Sequence, residues 1–489
     1  MIPDQPPTPA TDTIAPLLEA LSSLLGSRGF TSDPNDMAPW LTDWRGRVQG
    51  EALAMLSPAT PQEVQQIVRL AADARVPLVP QGGNTSMVAG ATPAAGSLLV
   101  STRRMAAIRH LSAEENIAIC EAGVVLATLH EAAAAAGRRF PLSLAAKGSA
   151  TIGGLVSTNA GGTQVLRHGP MRALVCGIEA VLPDGSLFEG LPPLRKDNRG
   201  YDLRQLLSGA EGTLGIITAV SLRLVPAIGA RTVAWAAFDD AEAALRLLGR
   251  LETEMPGQVE GFELVPRDAL ELVLRHIDGM RDPLDVPHPW YALVEVVAPA
   301  GGEDPADKVA ALIGAAIETG EVADAMIAAS EAQAEALWAL RENISEAERR
   351  DGISVKHDVS VAVAEMPRFM RRATHAVTEA FPGARVLAFG HLGDGNVHFN
   401  VRNPTGEEAK HWFAQNNVAV SRLVHDLVTE VGGSISAEHG IGQLKLAEFA
   451  RLAGPARLAA LRAIKQGMDP LGIMNPGKLV PLASDQGTP

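Results

Sequence analysis

The sequence is short of cysteine, of positive charge and of long apolar runs, and each shortage closes off a class of protein. Two cysteines in 489 residues cannot build a disulfide framework. Cys120 and Cys176 sit inside apolar, strand-like runs and read as buried free thiols in a reducing compartment. No window approaches about 18 uninterrupted apolar residues, so no membrane-spanning helix is expected. Lysine and arginine number 42 against 56 acidic residues, a net charge of −14. That balance argues against nucleic acid or an anionic membrane surface as partner, because both need a basic footprint. An anionic small substrate stays open, since two local cations suffice for it. The start, Met1 to Thr13, is rich in Pro and Thr and has no basic residue ahead of an apolar run. It matches neither a secretory nor a transit signal, which makes the cytoplasm the expected location. There is no internal repeat and no long low-complexity linker. No Gly-x-Gly-x-x-Gly follows a strand and opens a helix, so a Rossmann dinucleotide fold is not indicated. Gly472 to Lys478 has phosphate-loop spacing, but Leu479 stands where a magnesium-binding Ser or Thr is needed, and Pro476 precedes the second glycine.

What is present suggests two or three domains, with ample apolar material at 46% of residues. Residues 14–29 read as a short amphipathic helix and 31–50 as irregular. From Glu51 the pattern is β-α-β. A strand (52–56) leads to Thr60-Pro61-Gln-Glu63, which is a capping-box helix start, and the helix runs to about Ala74 before a strand at 77–80. This unit delivers the chain to Pro80-Gln81-Gly82-Gly83-Asn84-Thr85-Ser86. Paired glycines after a strand let backbone N–H groups approach an anion, and Asn, Thr and Ser add donors, although a plain turn has the same composition. A second such stretch is Lys147-Gly148-Ser149-Ala-Thr151-Ile152-Gly153-Gly154-Leu-Val-Ser157-Thr158-Asn159-Ala160-Gly161-Gly162. Its apolar insertions argue against disorder. A third is Ser208-Gly209-Ala-Glu211-Gly212-Thr213-Leu-Gly215-Ile216-Ile217, leading into a strand to Val225.

After Pro226 the glycine-rich loops vanish, and strands (233–238, 290–297) alternate with Ala/Leu-rich helices (241–253, 306–319). A long helix, about 332–350, carries Arg341 and Ser345 one turn apart on one face. An alternating strand from 353 to 363 then puts Lys356 on its polar face, where a solvated surface charge is the ordinary outcome. The stretch Phe389-Gly-His391-Leu-Gly-Asp394-Gly395-Asn-Val-His398-Phe-Asn400 contains Asp-Gly between two apolar runs, a strong signal for a two-residue hairpin turn. With Asp394 and Gly395 as the turn, His391 faces His398 with Cβ atoms about 4.5–5.5 Å apart. That spacing lets two imidazoles share one metal ion, although two surface histidines on a hairpin would look the same. Asn400 lies on the same strand face as His398.

The glycine-rich text (PQGGNTS at 80–86, AAKGSATIGGLVSTNAGG at 145–162, LRKDNRGYDLRQL at 194–206, GAEGTLGIIT at 209–218) resembles the flavin domain of vanillyl-alcohol-oxidase-type FAD enzymes, in the branch of D-lactate and D-2-hydroxyglutarate dehydrogenases. The resemblance implies an α+β protein with a two-part FAD-binding domain, a substrate or cap domain, and a C-terminal segment returning to the flavin. The expected divisions are 1–50, 51–226, 227–406 and 407–489. It implies non-covalent FAD held by the first two segments, with Glu211, Gly212 and Gly215 to Ile217 near the adenosine half and with Gly169 and Asn475 also contributing. His168 is the one residue that raises a question of covalent attachment. It further implies that Arg341, Ser345 (where the branch has Thr) and Lys356 bind a distal substrate carboxylate.

Ser434-Ile-Ser436-Ala-Glu438-His439-Gly440 then supplies a carboxylate beside a histidine. With the hairpin, Glu438 completes a set of two histidines and one carboxylate that leaves coordination positions for substrate. The expected metal is zinc, with manganese as alternative. The expected reaction oxidises a D-2-hydroxy acid, D-2-hydroxyglutarate first and D-malate second, with His439 as general base and Asn400 orienting the substrate. An electron-transfer flavoprotein or a quinone is the implied acceptor, and a homodimer is the working expectation for assembly. Rival readings are a D-lactate or glycolate dehydrogenase, a metal-dependent hydrolase, and a non-catalytic flavin-binding subunit.

Overall fold

The computed structural model describes residues 11–481. Residues 1–10 and 482–489, including most of the stretch judged to lack a targeting signal, lie outside the described residues. Among the described residues no helix is long and apolar enough to cross a membrane. The chain forms two contact units. The first holds the described residues up to Gly162, Gly169–Pro226 and the chain from Glu438. The second holds Thr163–His168 and Ala227–Ala437. Residues 407–437 therefore pack with the second unit.

In the first unit a four-stranded sheet has the order Phe30–Thr31, Ala54–Leu56, Leu98–Ser101, Leu78–Gln81. The last three strands are parallel, so the expected β-α-β unit is present with a further strand inserted at its centre. The helix Pro61–Ala74 begins where the capping residues demand. Thr60 accepts the Glu63 amide, Pro61 fills the first turn, and the Glu63 carboxylate turns back to the Ala59 amide. Its buried residues Val64, Ile67, Val68 and Ala71 follow the helical period, each large side chain contributing about 1.5–3 kcal/mol. A five-stranded antiparallel sheet contains Ile216–Arg223 at its centre. Ile473 and Met474 are fully buried in the core with Leu56 and Ile67. Leu78 N donates to Ile473 O, and Asn475 N donates to Leu78 O, both at 2.8 Å. Buried Lys465 ties the same C-terminal turn to Thr213 O, Met474 O and the Asp469 carboxylate.

Two expectations fail in local detail. Residues 31–50 are not wholly irregular: Pro34–Leu41 is a helix capped by Asp33, whose side chain accepts the Asn35 amide. Two prolines hid it, although Pro34 occupies the first turn where no N–H is needed. The long helix is two helices, Glu331–Glu342 and Ile344–Asp351, divided at Asn343.

The second unit is built on a seven-stranded sheet in the order Asp324–Ile327, Ile228–Phe238, Trp290–Pro299, Val259–Pro266, Arg385–His391, Asn396–Arg402, Val355–Ser360. Every pairing in it is antiparallel. One face is covered by the helices Ala241–Glu254, Ala306–Glu318, Met366–Ala380 and Ala409–Glu430. The other carries the core around Trp235, Leu270, Trp338 and Phe389, contributed partly by Arg267–His276 and Glu331–Glu342. Side chains alternate across each strand, so the register decides which residues share this second face.

Candidate functional site

The hairpin forms, but its register differs from the expected one. His391 pairs with Asn396 and Phe389 with His398, so the turn spans Leu392 to Gly395 rather than Asp394-Gly395 alone. The carbonyl of His391 accepts the Gly395 amide at 3.0 Å, and Asp394 Oδ1 accepts the Asn396 amide at 3.0 Å. Pairing has moved by two residues. A slip of one would send His398 through the sheet, whereas a slip of two leaves it on the same face as a diagonal neighbour. The two imidazole centroids lie 5.4 Å apart. Ligand atoms of His391, His398 and Glu438 all fall within 4.8 Å of one another, and Glu438 follows Ala437, whose amide donates to Asp358 O.

The same registers lay out the rest of the site. Glu263 is opposite His391, Asp358 is opposite His398, and Lys356 is opposite Asn400. These residues share one sheet face. Two buried carboxylates organise it, and the sequence reading named neither. Glu263 has no exposed side-chain surface; its Oε1 lies 2.7 Å from His391 Nδ1, and its Oε2 accepts from Arg341 Nε and Nη2, each at 2.8 Å. Glu348, equally buried, accepts from Lys356 Nζ at 2.6 Å and Asn400 Nδ2 at 3.0 Å on one oxygen, while its Oε1 has no partner. Arg341 is therefore not a surface charge: it is 8% exposed and stacked over the Phe389 ring at 5.0 Å. Lys356 is half-buried, whereas Ser345 beyond the helix break is exposed. Burial raises the Glu263 carboxyl, but His391 and Arg341 outweigh it and hold the group at about 2. At Asp394 burial wins and lifts the carboxyl to about 6, against the opposing pull of His391.

In the first unit the glycine-rich segments interlock. A Cβ on Gly83 would lie 1.8 Å from Ser149 O, and one on Gly82 would lie 2.1 Å from Thr151 Oγ1, so only glycine lets the first two loops meet. Lys147-Gly148-Ser149 leads into a short helix, Ile152–Thr158, that contains Gly153, Gly154 and Ser157 and ends at Asn159 with φ 49°. Glu211 N donates to Ser157 O, which hangs the third segment on the second. Several side chains expected at the cofactor also bond within the protein. Gln81 Nε2 donates to Trp40 O and Ala91 O, and Asn84 Nδ2 donates to Thr42 O. The Glu211 carboxylate accepts the Ile441 and Gly442 amides, both at 2.8 Å, and so anchors the loop that carries His439. Asn475 Nδ2 donates to Gly90 O and Glu211 O. These loops retain buried polar atoms without partners, Gln81 Oε1, Thr151 Oγ1 and Asn475 Oδ1, which suits a polar dinucleotide. Lys147 and Gly148 are exposed. His168 lies 3.6 Å from Glu260 in the second unit.

Comparison with known proteins matches residues 52–190 to an FAD binding domain and residues 229–479 to the C-terminal domain of FAD linked oxidases. The chain is 35% identical over 464 residues to the D-2-hydroxyglutarate dehydrogenase of Xanthomonas citri, covering 95% of this chain and 97% of that one. It is also 35% identical over 458 residues to the mitochondrial D-2-hydroxyglutarate dehydrogenase of Arabidopsis thaliana, covering 94% of this chain and 80% of that one. Among solved structures, p-cresol methylhydroxylase superposes with a TM-score of 0.76 at 14% identity, covering 98% of this chain and 99% of that one. A 4-ethylphenol oxidase from Gulosibacter chungangensis gives 0.71 at 18%, covering 97% and 98%. These likenesses establish the fold of vanillyl-alcohol-oxidase-type flavoproteins and its α+β class.

Proposed function

We propose that this chain, which belongs to the FAD-linked oxidases and is an FAD-dependent dehydrogenase of D-2-hydroxy acids, acts on a dicarboxylate at a metal centre, with D-2-hydroxyglutarate first and D-malate second. The observation that carries the reading is one sheet face bearing two juxtaposed imidazoles alongside two cations held by buried carboxylates.

His391, His398 and Glu438 would hold a divalent ion, zinc or else manganese; their mixed N/O donor set, all within 4.8 Å, fits one. When bound, the ion supplies Lewis acidity that lowers the pKa of a coordinated hydroxyl. FAD, held without a covalent bond, supplies the hydride acceptor. The remaining work falls to side chains. His391 turns Nδ1 to the Glu263 carboxylate, which can only accept, so Nε2 is the nitrogen that would face the ion. His439, beside Glu438 on the loop anchored by Glu211, takes the proton from the substrate's 2-hydroxyl. Arg341 retains its Nη1 donors, and Lys356 retains two N–H groups for the distal carboxylate. Holding that end fixes which face of the α-carbon meets the cofactor. Asn400, steadied by Glu348, orients the substrate, with Ser345 as a further donor. An electron-transfer flavoprotein or a quinone is the proposed electron acceptor.

Metal analysis of His391→Ala and a dye-linked substrate panel test the reading. Expected are loss of the ion with turnover, and a higher kcat/KM for the dicarboxylates than for D-lactate or glycolate. Unchanged metal content and turnover in His391→Ala refutes the centre. A preference for D-lactate refutes the roles given to Arg341 and Lys356.

A further inference from the structure

We propose that Glu263 is a positioning residue that yokes the His391 imidazole to the Arg341 guanidinium, so that metal binding and recognition of the distal carboxylate depend on one buried side chain. This rests on the reading of the site given above. Both Glu263 oxygens are engaged, Oε1 by His391 Nδ1 and Oε2 by Arg341. With no exposed surface, the carboxylate has no water to exchange for either partner. A ligating histidine needs its second nitrogen held so that the ring presents the other lone pair in a fixed direction, and a carboxylate commonly does this. Here that carboxylate belongs to a neighbouring strand, paired to the hairpin strand through Glu263↔His391 and Leu264↔Gly390.

The coupling reaches both imidazoles. The Arg341 guanidinium lies over Phe389, which is opposite His398 in the register and whose ring centroid is 5.1 Å from that of His398. Glu263 occupies the Nε side of Arg341, leaving the Nη1 side for an incoming carboxylate. The guanidinium is thereby aimed as well as balanced in charge.

The test measures metal affinity by chelator competition on flavin-loaded protein, with KM for the dicarboxylate alongside. Arg341→Met leaves Glu263 on His391. Glu263→Leu/Arg341→Met replaces the ion pair with apolar side chains, an exchange that buried pairs often tolerate, and strips His391 Nδ1 of its acceptor. Expected are metal affinity within about twofold of wild type in Arg341→Met with a raised KM, and a loss of about 10–100-fold in metal affinity in the double variant. Equal metal affinity in the two variants overturns the proposal when His391→Ala has lost the ion. If His391→Ala still binds it as wild type does, the metal centre itself falls, and this proposal with it. Glu263→Gln gives a second reading. A carboxamide offers one acceptor where the carboxylate offers two, so it serves His391 or Arg341 but not both. Either metal affinity falls or KM rises, and wild-type values of both overturn the proposal.

Discussion

Replacing Lys356 with methionine separates what the Lys356–Glu348 pair does for stability from what it does for substrate. Methionine keeps most of the side-chain length, so packing changes little and the loss is electrostatic. Glu348 has no exposed side-chain surface, and Lys356 is 27% exposed. Removing one partner of a buried pair costs about 3–5 kcal/mol. The partial exposure of Lys356 and the remaining Asn400 donor reduce this to about 2–3 kcal/mol. For a unit of roughly two hundred residues, each kcal/mol lowers the melting midpoint by about 2–4 °C, so a fall of about 5–10 °C is expected in calorimetry. Lys356→Met/Glu348→Met removes both charges and recovers most of that loss. KM for the dicarboxylate stays high in both proteins, because the cation is absent from both. A midpoint change below about 2 °C in Lys356→Met would show that the Glu348 charge does not depend on Lys356.

Two further outcomes follow from the same sheet. Gly395→Ala places a Cβ 2.0 Å from Val361 O at φ 79°, so hairpin and neighbouring strand must part. A loss of about 3 kcal/mol with weakened metal binding is expected, and a wild-type melting curve would contradict it. The Glu263 carboxyl, held at about 2 against an ordinary 4.5, contributes stability that is complete above pH 4.5 and is lost as the pH falls towards 2. Acid unfolding followed by circular dichroism should lack this component in Glu263→Leu/Arg341→Met, and identical acid midpoints would refute it.

Much of the site was legible because its cues are local. Asp-Gly between apolar runs marks the hairpin, and parity kept His391 and His398 on one face as diagonal neighbours, although the register had moved by two and they are not direct partners. Glycine-dense text marks loops that must pass within van der Waals contact of each other, as Gly83 does at Ser149. The organising carboxylates were not legible. Glu263 lies in an apolar alternating strand, and Glu348 lies in a helix crowded with charge. In each case the partner that explains the burial comes from a different strand or helix. The buried ion pair of Arg341 escaped for the same reason, since nothing near it in the chain announces Glu263, 78 residues away. The break at Asn343 escaped because its backbone, φ −81° and ψ −1°, stays close to helical while the hydrogen-bond ladder stops.

The strap formed by Ile473, Met474 and Asn475 on Leu78 sets a timetable for biosynthesis. The strand Leu78–Gln81 and its glycine loop leave the ribosome early, yet two fully buried residues of their core are translated almost four hundred residues later. At about 5–20 residues per second that interval is roughly 20–80 s. Throughout it the first unit lacks Ile473 and Met474 from its core, and Gly90 and Glu211 lack their Asn475 donor. The backbone around Gly90 and Glu211 therefore completes its hydrogen bonding only once Asn475 has been translated.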